Sequence, residues 1–166
     1  VGRQDITWHE ARVAGGRPLS RFDFTAQEGE GPAVAQRRPV VERLRLVRNL
    51  PLEEYRFVSR IARRPAKVTL IGPDRIGQRW DRERSAPVYT DLDAFLADVV
   101  RIEREMVQAL VDAGCRYVQI DAPSYTAYVD EPSRAEMRRR GEDPEENFAR
   151  ALRADRALVA GFPGVA

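Results

Sequence analysis

The sequence predicts an α/β fold built around a parallel sheet. Two short apolar segments, residues 67–71 and 116–121, contain β-branched side chains and have the length of buried strands. Between them, residues 92–113 carry apolar side chains at helical spacing. This order of strand, helix and strand is typical of parallel sheets, which bind ligands in the loops after the carboxyl ends of their strands.

The composition narrows the class of protein. The 166 residues suit one domain with a core but are fewer than the roughly 250 of a complete eight-unit barrel. A net charge of +2, with arginines mixed among acidic residues, argues against nucleic-acid binding. The single cysteine excludes an intrachain disulfide. We find no long apolar run and no signal-peptide pattern, so we expect a cytoplasmic protein that does not cross a membrane.

Residues 1–166 are expected to form one domain, in which the first part has a less regular sequence pattern than the second. Glycines and prolines interrupt residues 1–40, which predicts an irregular, loop-rich segment. Within it, residues 20–24 alternate phenylalanine with charged residues, as a short strand would. Residues 41–166 are expected to form βα units.

The middle of the chain predicts a helix, a strand and a long loop. Residues 52–63 have helical spacing after Pro51, which suits a first helical turn. The residues expected on the buried side are Tyr55, Val58, Ile61 and Ala62. Residues 67–71 then form a strand ended by a Gly-Pro pair, and a loop of about eighteen residues runs to Thr90.

The helix at residues 92–113 has the clearest boundaries. Thr90 or Asp91 can cap its first turn, and Gly114 stands where a left-handed residue commonly ends a helix. The strand at 116–121 follows directly.

The last part of the chain predicts a loop and two helices. Residues 124–128 form the loop, and Ser133 with Glu136 fits a capping box for a short helix that ends at Gly141. The Asp-Pro-Glu-Glu sequence at 143–146 predicts a second, stronger helix start. Its expected buried side consists of Phe148, Leu152, Ala157, Leu158 and Val159.

Asp121 is the main candidate for a binding residue. A carboxylate at the last position of a buried strand is costly unless it is paired or faces a ligand. Gln119 shares its face, because strand residues two apart point the same way. Each has an ordinary alternative: Asp121 caps a loop or pairs with an arginine, and Gln119 is a packed polar residue of the core.

Residues 112–123 resemble a signature stretch of the cobalamin-independent methionine synthase superfamily. They read Asp-Ala-Gly-Cys-Arg-Tyr-Val-Gln-Ile-Asp-Ala-Pro. Residues 67–73 resemble the family's preceding strand and Gly-Pro turn, and residues 140–144 resemble its single-barrel members. Over about residues 38–166, the resemblance implies a (β/α)8 TIM barrel of the methionine synthase/uroporphyrinogen decarboxylase type, of which this chain would hold a part.

The resemblance also implies an activity and a binding site. The activity that it implies is the zinc-dependent transfer of a methyl group from a folate-type donor to a thiol such as homocysteine. Asp121 matches the aspartate that binds the substrate amino group, but Ala122 replaces the acidic residue that usually follows. Trp80 would lie on the donor side, stacking on a pterin or merely anchoring its loop, and Tyr125 would line the mouth with Tyr128.

Zinc is expected for such a family, but its ligands are not found in this chain. The family uses a His-x-Cys pair, a glutamate and a second cysteine, whereas His9 and Cys115 are far apart. His9 fits a surface or packing role, and Cys115 fits an apolar contact.

Two alternatives to a methionine synthase-like activity stay open. One is another thiol alkyltransferase, such as an epoxide–coenzyme M transferase, and the other is a degenerate module that binds a small ligand without catalysis.

Overall fold

The computed structural model describes residues 39–162, which form an α/β unit. The strands are β1, Lys67–Ile71, and β2, Tyr117–Asp121. The helices are α1, Leu50–Ser59; α2, Pro73–Gly77; α3, Leu92–Asp112; α4, Glu131–Arg139; and α5, Pro144–Val159. A 3-10 helix spans Pro123–Tyr128. The strand predicted at residues 20–24 and His9 lie outside the described residues.

The two strands pair in parallel, as the sequence predicted. Lys67 is opposite Tyr117 and Ile71 is opposite Asp121, so the strands end level with each other. Helix α3 connects them along the chain. The α/β class is therefore confirmed, and the complete barrel stays a prediction.

The sheet has one packed face and one open face. Val68 and Leu70 of β1 are buried in the core, whereas Lys67 is exposed. The prediction that β2 is a buried strand is wrong, because Tyr117 and Asp121 are exposed and the residues between them are half-buried. Within residues 39–162, β2 pairs with β1 alone, so its other edge has no strand beside it.

Among the described elements, helix α3 supplies the largest share of the core. Phe95, Val99, Ile102 and Leu110 are fully buried at helical spacing. The Asp91 carboxylate accepts a hydrogen bond of 2.7 Å from the Ala94 N–H and so caps the first turn. The predicted bounds are confirmed, with Ala113 as the C-cap residue and Gly114 in the left-handed region at φ 91°.

Helix α1 is shorter and less buried than predicted. It ends at Ser59 rather than at residue 63, and Val58 and Ile61 are 39% and 67% exposed. Its contacts are at the opposite end, where the Asn49 side chain caps Leu52 and donates to the Met106 carbonyl. Apolar spacing predicted the helix, but burial requires a neighbouring element, and the described residues provide one only near its start.

The predicted long loop after β1 contains regular structure. Helix α2 begins directly at Pro73, which suits the first helical position, and it buries Ile76. Farther along, the buried Ser85 hydroxyl donates to the Val40 carbonyl at 2.6 Å and accepts from the Asp81 N–H. The segment that sequence patterns gave as a loop is therefore folded onto the core.

Tyr89, near the end of this folded segment, is buried in the core and bonds to distant residues. Its hydroxyl accepts a hydrogen bond of 2.7 Å from the Leu44 N–H and donates one of 2.6 Å to Asp98. Its ring meets Phe95 edge to face, with centroids 5.0 Å apart. Burial and the Asp98 hydrogen bond raise the pKa of Tyr89 to about 12, so the hydroxyl stays protonated at neutral pH.

Two predictions for the region after β2 are wrong. Residues 124–128 belong to a 3-10 helix rather than a loop. Helix α4 begins at Glu131, and its cap is Asp130, whose carboxylate accepts from both the N–H and the hydroxyl of Ser133. Ser133 is thus a donor to the cap rather than the cap itself. The predicted end of the helix near Gly141 is confirmed.

Helix α5 begins as predicted but buries a different side. Asp143 caps it with Pro144 at the first position. Of the residues expected inside, Leu158 is buried, Leu152 is half-buried, and the others are exposed: Phe148, Ala157 and Val159. The buried positions are mainly the small residues Ala151 and Ala154, which suits close packing against α3.

The carboxyl end of α5 is held by a side chain from α3. The Arg104 guanidinium donates to the carbonyls of Ala157, Leu158 and Ala160 at 2.6, 3.1 and 2.7 Å. It also lies 4.8 Å from the centre of the Phe162 ring. In the described part of the chain, no helix is both long and apolar enough to cross a membrane.

Removing the Tyr89 hydroxyl should destabilise the fold. We expect Tyr89→Phe to lower the free energy of unfolding by about 1–3 kcal/mol, because the buried Leu44 N–H loses its acceptor. Urea unfolding measures the difference. Tyr117→Phe is the matched control, since Tyr117 is 48% exposed and its hydroxyl has no partner among the described residues. Equal stabilities of the two variants would contradict the structural role of Tyr89.

Candidate functional site

The carboxyl ends of the two strands form the first part of the candidate site. The Gly72 N–H donates to the Asp121 carbonyl at 2.7 Å, which ties the end of β1 to the end of β2. A Cβ atom on residue 72 would lie 3.2 Å from that carbonyl oxygen. Glycine therefore permits this close approach between the two chain segments.

Asp121 presents its carboxylate outward from this edge. The residue is exposed, and its side chain makes no hydrogen bond or ion pair with any residue between 39 and 162. The alternative in which it pairs with a nearby arginine thus finds no support in this part of the chain. No residue in the described part of the chain therefore occupies this carboxylate.

Gln119 lies on the same open face, two residues before Asp121. Its Oε1 atom accepts a hydrogen bond of 2.7 Å from the Nζ atom of Lys67. Lys67 also lies 5.8 Å from the centre of the Tyr117 ring. The half-buried Gln119 is therefore held in place by the neighbouring strand, and its amide nitrogen donates to none of residues 39–162.

Tyr125 belongs to a separate group of aromatic residues after β2. Tyr125, Tyr128 and Phe148, here called the aromatic cluster, have ring centres 5.5–6.2 Å apart. The Tyr125 hydroxyl donates to Asp155 at 2.6 Å, and the Tyr128 hydroxyl donates to Asp74 at 2.9 Å. Burial and these carboxylates raise the pKa of both tyrosines well above the usual value.

Asp74 and Asp155 are carboxyl groups that the sequence reasoning missed. Asp74 follows the Gly-Pro turn at the end of β1, so its position beside a strand end was a usable signal. Asp155 lies on α5, and no local pattern points to it. Burial raises the pKa of Asp155, the hydrogen bond from Tyr125 opposes the change, and the charge of Asp74 adds to it.

Trp80 is anchored to the core. Its indole N–H donates to the Tyr89 carbonyl at 3.1 Å, and the half-buried ring packs against the main apolar cluster. Within the described residues it has no hydrogen bond or ring contact with Gln119, Asp121 or Tyr125. The structure thus joins Gln119 and Asp121 on one face and leaves Tyr125 and Trp80 in two other networks.

The described residues do not fit a zinc site. Between residues 39 and 162, no group of histidine, cysteine, aspartate and glutamate side chains is placed to hold a metal ion. Cys115 is fully buried, and its Sγ atom lies 3.5 Å from the Tyr117 carbonyl as a hydrogen-bond donor. This is the packing role that the sequence suggested for Cys115.

Comparison with known proteins gives similarity over part of the chain. The uncharacterized protein YxjH of Bacillus subtilis is 30% identical over 97 residues, covering 57% of this chain and 25% of that protein. The methionine synthases of Pyrococcus horikoshii and Pyrococcus abyssi are each 28% identical over 102 residues, covering 61% of this chain and 29% of theirs. No family model and no solved structure matches.

These matches support a partial similarity to methionine synthases and no more. The chain spans between a quarter and a third of the length of these relatives. The activity of the whole protein is therefore a matter for proposal.

Shortening the Trp80 side chain should test its anchoring role. We expect Trp80→Phe to lower the free energy of unfolding by at least about 0.5–1.5 kcal/mol, because the hydrogen bond to the Tyr89 carbonyl is lost. Thermal or urea unfolding measures this. Phe57→Leu is the control, because Phe57 is 59% exposed. If Trp80→Phe is as stable as the control, Trp80 is not an anchor.

Proposed function

We propose that this chain forms the substrate-recognition part of a methyltransferase similar to methionine synthase. The protein would transfer a methyl group from a folate-type donor to a thiol such as homocysteine, and so act in methionine biosynthesis. Partial similarity to the two archaeal methionine synthases supports this. The observation that carries the proposal is the exposed carboxylate of Asp121 at the carboxyl end of β2, free of partners in residues 39–162.

Asp121 would bind the amino group of the thiol substrate. An ammonium group and a carboxylate form a charge-assisted hydrogen bond, which is stronger than a neutral one. Gln119 lies two residues earlier on the same face, roughly 7 Å away along the strand. A small amino acid can span that distance, so the amide N–H of Gln119, which has no acceptor among the described residues, is a suitable donor to another polar group of the same molecule.

The remaining residues have supporting roles in this proposal. Tyr125 would border the mouth through the aromatic cluster, and the ring of Trp80 is the proposed contact for the methyl donor. Zinc, which the resemblance implies, finds no ligand set among residues 39–162. The proposed role of Asp121 and Gln119 is therefore to bind and orient the substrate.

Removing the charge of Asp121 should weaken substrate binding. We expect Asp121→Asn in the full-length protein to reduce homocysteine affinity about ten- to a hundredfold, which corresponds to the loss of roughly 1.5–3 kcal/mol. Calorimetric titration gives the affinity, and the melting temperature is measured on the same samples. Because the residue is exposed, we expect the melting temperature to stay nearly constant.

Two controls separate recognition from packing. Asp112→Asn changes an exposed aspartate before the start of β2, at the other end of the strand, and should leave affinity unchanged. A thiol without an amino group should bind Asp121→Asn as well as it binds the unmodified protein. If homocysteine affinity is unchanged while the melting temperature falls, Asp121 is structural and the proposed site is wrong.

A further inference from the structure

Several carboxylate oxygens between the helices are buried without a hydrogen-bond donor. Among residues 39–162, Asp74 and Asp155 each have one buried carboxylate oxygen without a donor, and Glu103 has two. We call these three residues the buried acidic cluster. They come from helices α2, α3 and α5, and the proposed substrate site does not use them.

Glu103 is the most deeply buried member. Its exposed fraction is 0%, and it lies on the core side of α3 next to the fully buried Ile102. An ionised carboxylate in such a position needs a cation or several donors, because removing it from water is very costly. Neither is found in the described part of the chain.

In the described part of the chain, no positive side chain offsets the charge that Glu103 would carry when ionised. Helix α5 contributes the negative side chain of Asp155, which acts directly on Glu103. Helix α2 contributes Asp74, which acts on Asp155, while its Arg75 bonds to Gln78.

The other charged side chains on the helices around Glu103 bind other groups or are exposed to solvent. Arg104, beside Glu103 on α3, binds carbonyl groups at the end of α5. Arg150 of α5 binds Asp93 and Asn147. Helix α1 also packs on α3, but its charged residues Glu53, Glu54 and Arg56 are exposed, as is Arg60 directly after it.

We propose that Glu103 holds a proton in the folded protein at neutral pH, so that the packing of α3 against α5 weakens as the pH rises. A neutral carboxyl group removes the cost of a buried charge and the repulsion from Asp155. The close packing of α3 against Ala151 and Ala154 of α5 is then compatible with an acidic residue between the two helices.

The stability of the fold depends on pH because folding changes the proton affinity of Glu103. Burial, with a smaller contribution from Asp155, raises the pKa of Glu103 well above its ordinary value of 4.5. Between these two pKa values the folded protein holds one more proton than the unfolded chain. Stability from this group is therefore complete below pH 4.5 and falls as the pH rises, by up to about tenfold in the folding equilibrium constant per pH unit.

The raised pKa of Asp155 acts in the same direction as that of Glu103, and a comparison with Glu103→Gln leaves Asp155 in place. Four other resolved carboxyl shifts act in a different range. Their hydrogen bonds lower the pKa of Glu53, Asp130, Asp143 and Glu146. Stability from these groups is present above their ordinary pKa and is lost only in stronger acid. Between pH 5.5 and 7.5 they contribute almost no slope to the stability, and comparison with a matched variant cancels the contributions of all unchanged groups.

The decisive experiment is urea unfolding of the full chain at pH 5.5, 6.5 and 7.5, with and without Glu103→Gln. Glutamine keeps the shape and cannot ionise. We expect the unmodified protein to lose stability relative to Glu103→Gln as pH rises, approaching a tenfold change in the ratio of their equilibrium constants per pH unit. Glu105→Gln changes an exposed residue on the same helix. Its free energy of unfolding should change with pH in the same way as that of the unmodified protein.

Parallel pH profiles for Glu103→Gln and the unmodified protein would overturn the proposal. A second measurement covers the case in which Glu103→Gln does not fold. The infrared spectrum of the unmodified protein, with its glutamate carboxyl groups labelled with carbon-13, should contain a protonated-carboxyl band at pH 7. Asp155→Asn should move the disappearance of that band to a lower or unchanged pH, never to a higher one. Absence of the band at pH 7 would equally overturn the proposal.

Discussion

The burial of helix α3 is the interaction on which the other elements depend. Its 21 residues extend over about 32 Å and contact α1, α2 and α5. Each large apolar side chain that is fully buried contributes roughly 1.5–3 kcal/mol, and α3 carries four of them: Phe95, Val99, Ile102 and Leu110. Val68 and Leu70 of β1 belong to the same apolar core as α3, and the parallel pairing of β1 with β2 places Asp121 beside the turn at Gly72.

The sequence predicted those parts of the fold that local chemistry specifies. The strand pair, the long helix and the starts at Asp91 and Asp143 follow from β-branched runs, apolar spacing and capping residues, and all are found. The face shared by Gln119 and Asp121 follows from strand alternation alone. Conversely, the buried side of α5 includes Ala151 and Ala154 besides Leu158, and a pattern that seeks large apolar residues gives Phe148 in place of the alanines.

The parts that could not be predicted depend on contacts between distant residues. Tyr125 and Asp155 are thirty positions apart, and Tyr128 and Asp74 are fifty-four apart, yet each pair forms a hydrogen bond. Nothing in the local sequence distinguishes Glu103 from the exposed Glu105 except its place in the helical period, which indicates the core side. An acidic residue at a core position was thus a readable signal, whereas its neighbour Asp155 was not.

The last turn of α5 depends on a tertiary contact, the hydrogen bonds that it accepts from the Arg104 guanidinium of α3. Asp143 can start the helix on its own, but the carbonyls of its last turn are satisfied by a donor more than fifty positions earlier in the chain. Isolated helices of this length are marginal in water and fray at their ends. The final turn of α5 therefore belongs to the same cooperative unit as α3, and it should open to solvent only when that longer helix does.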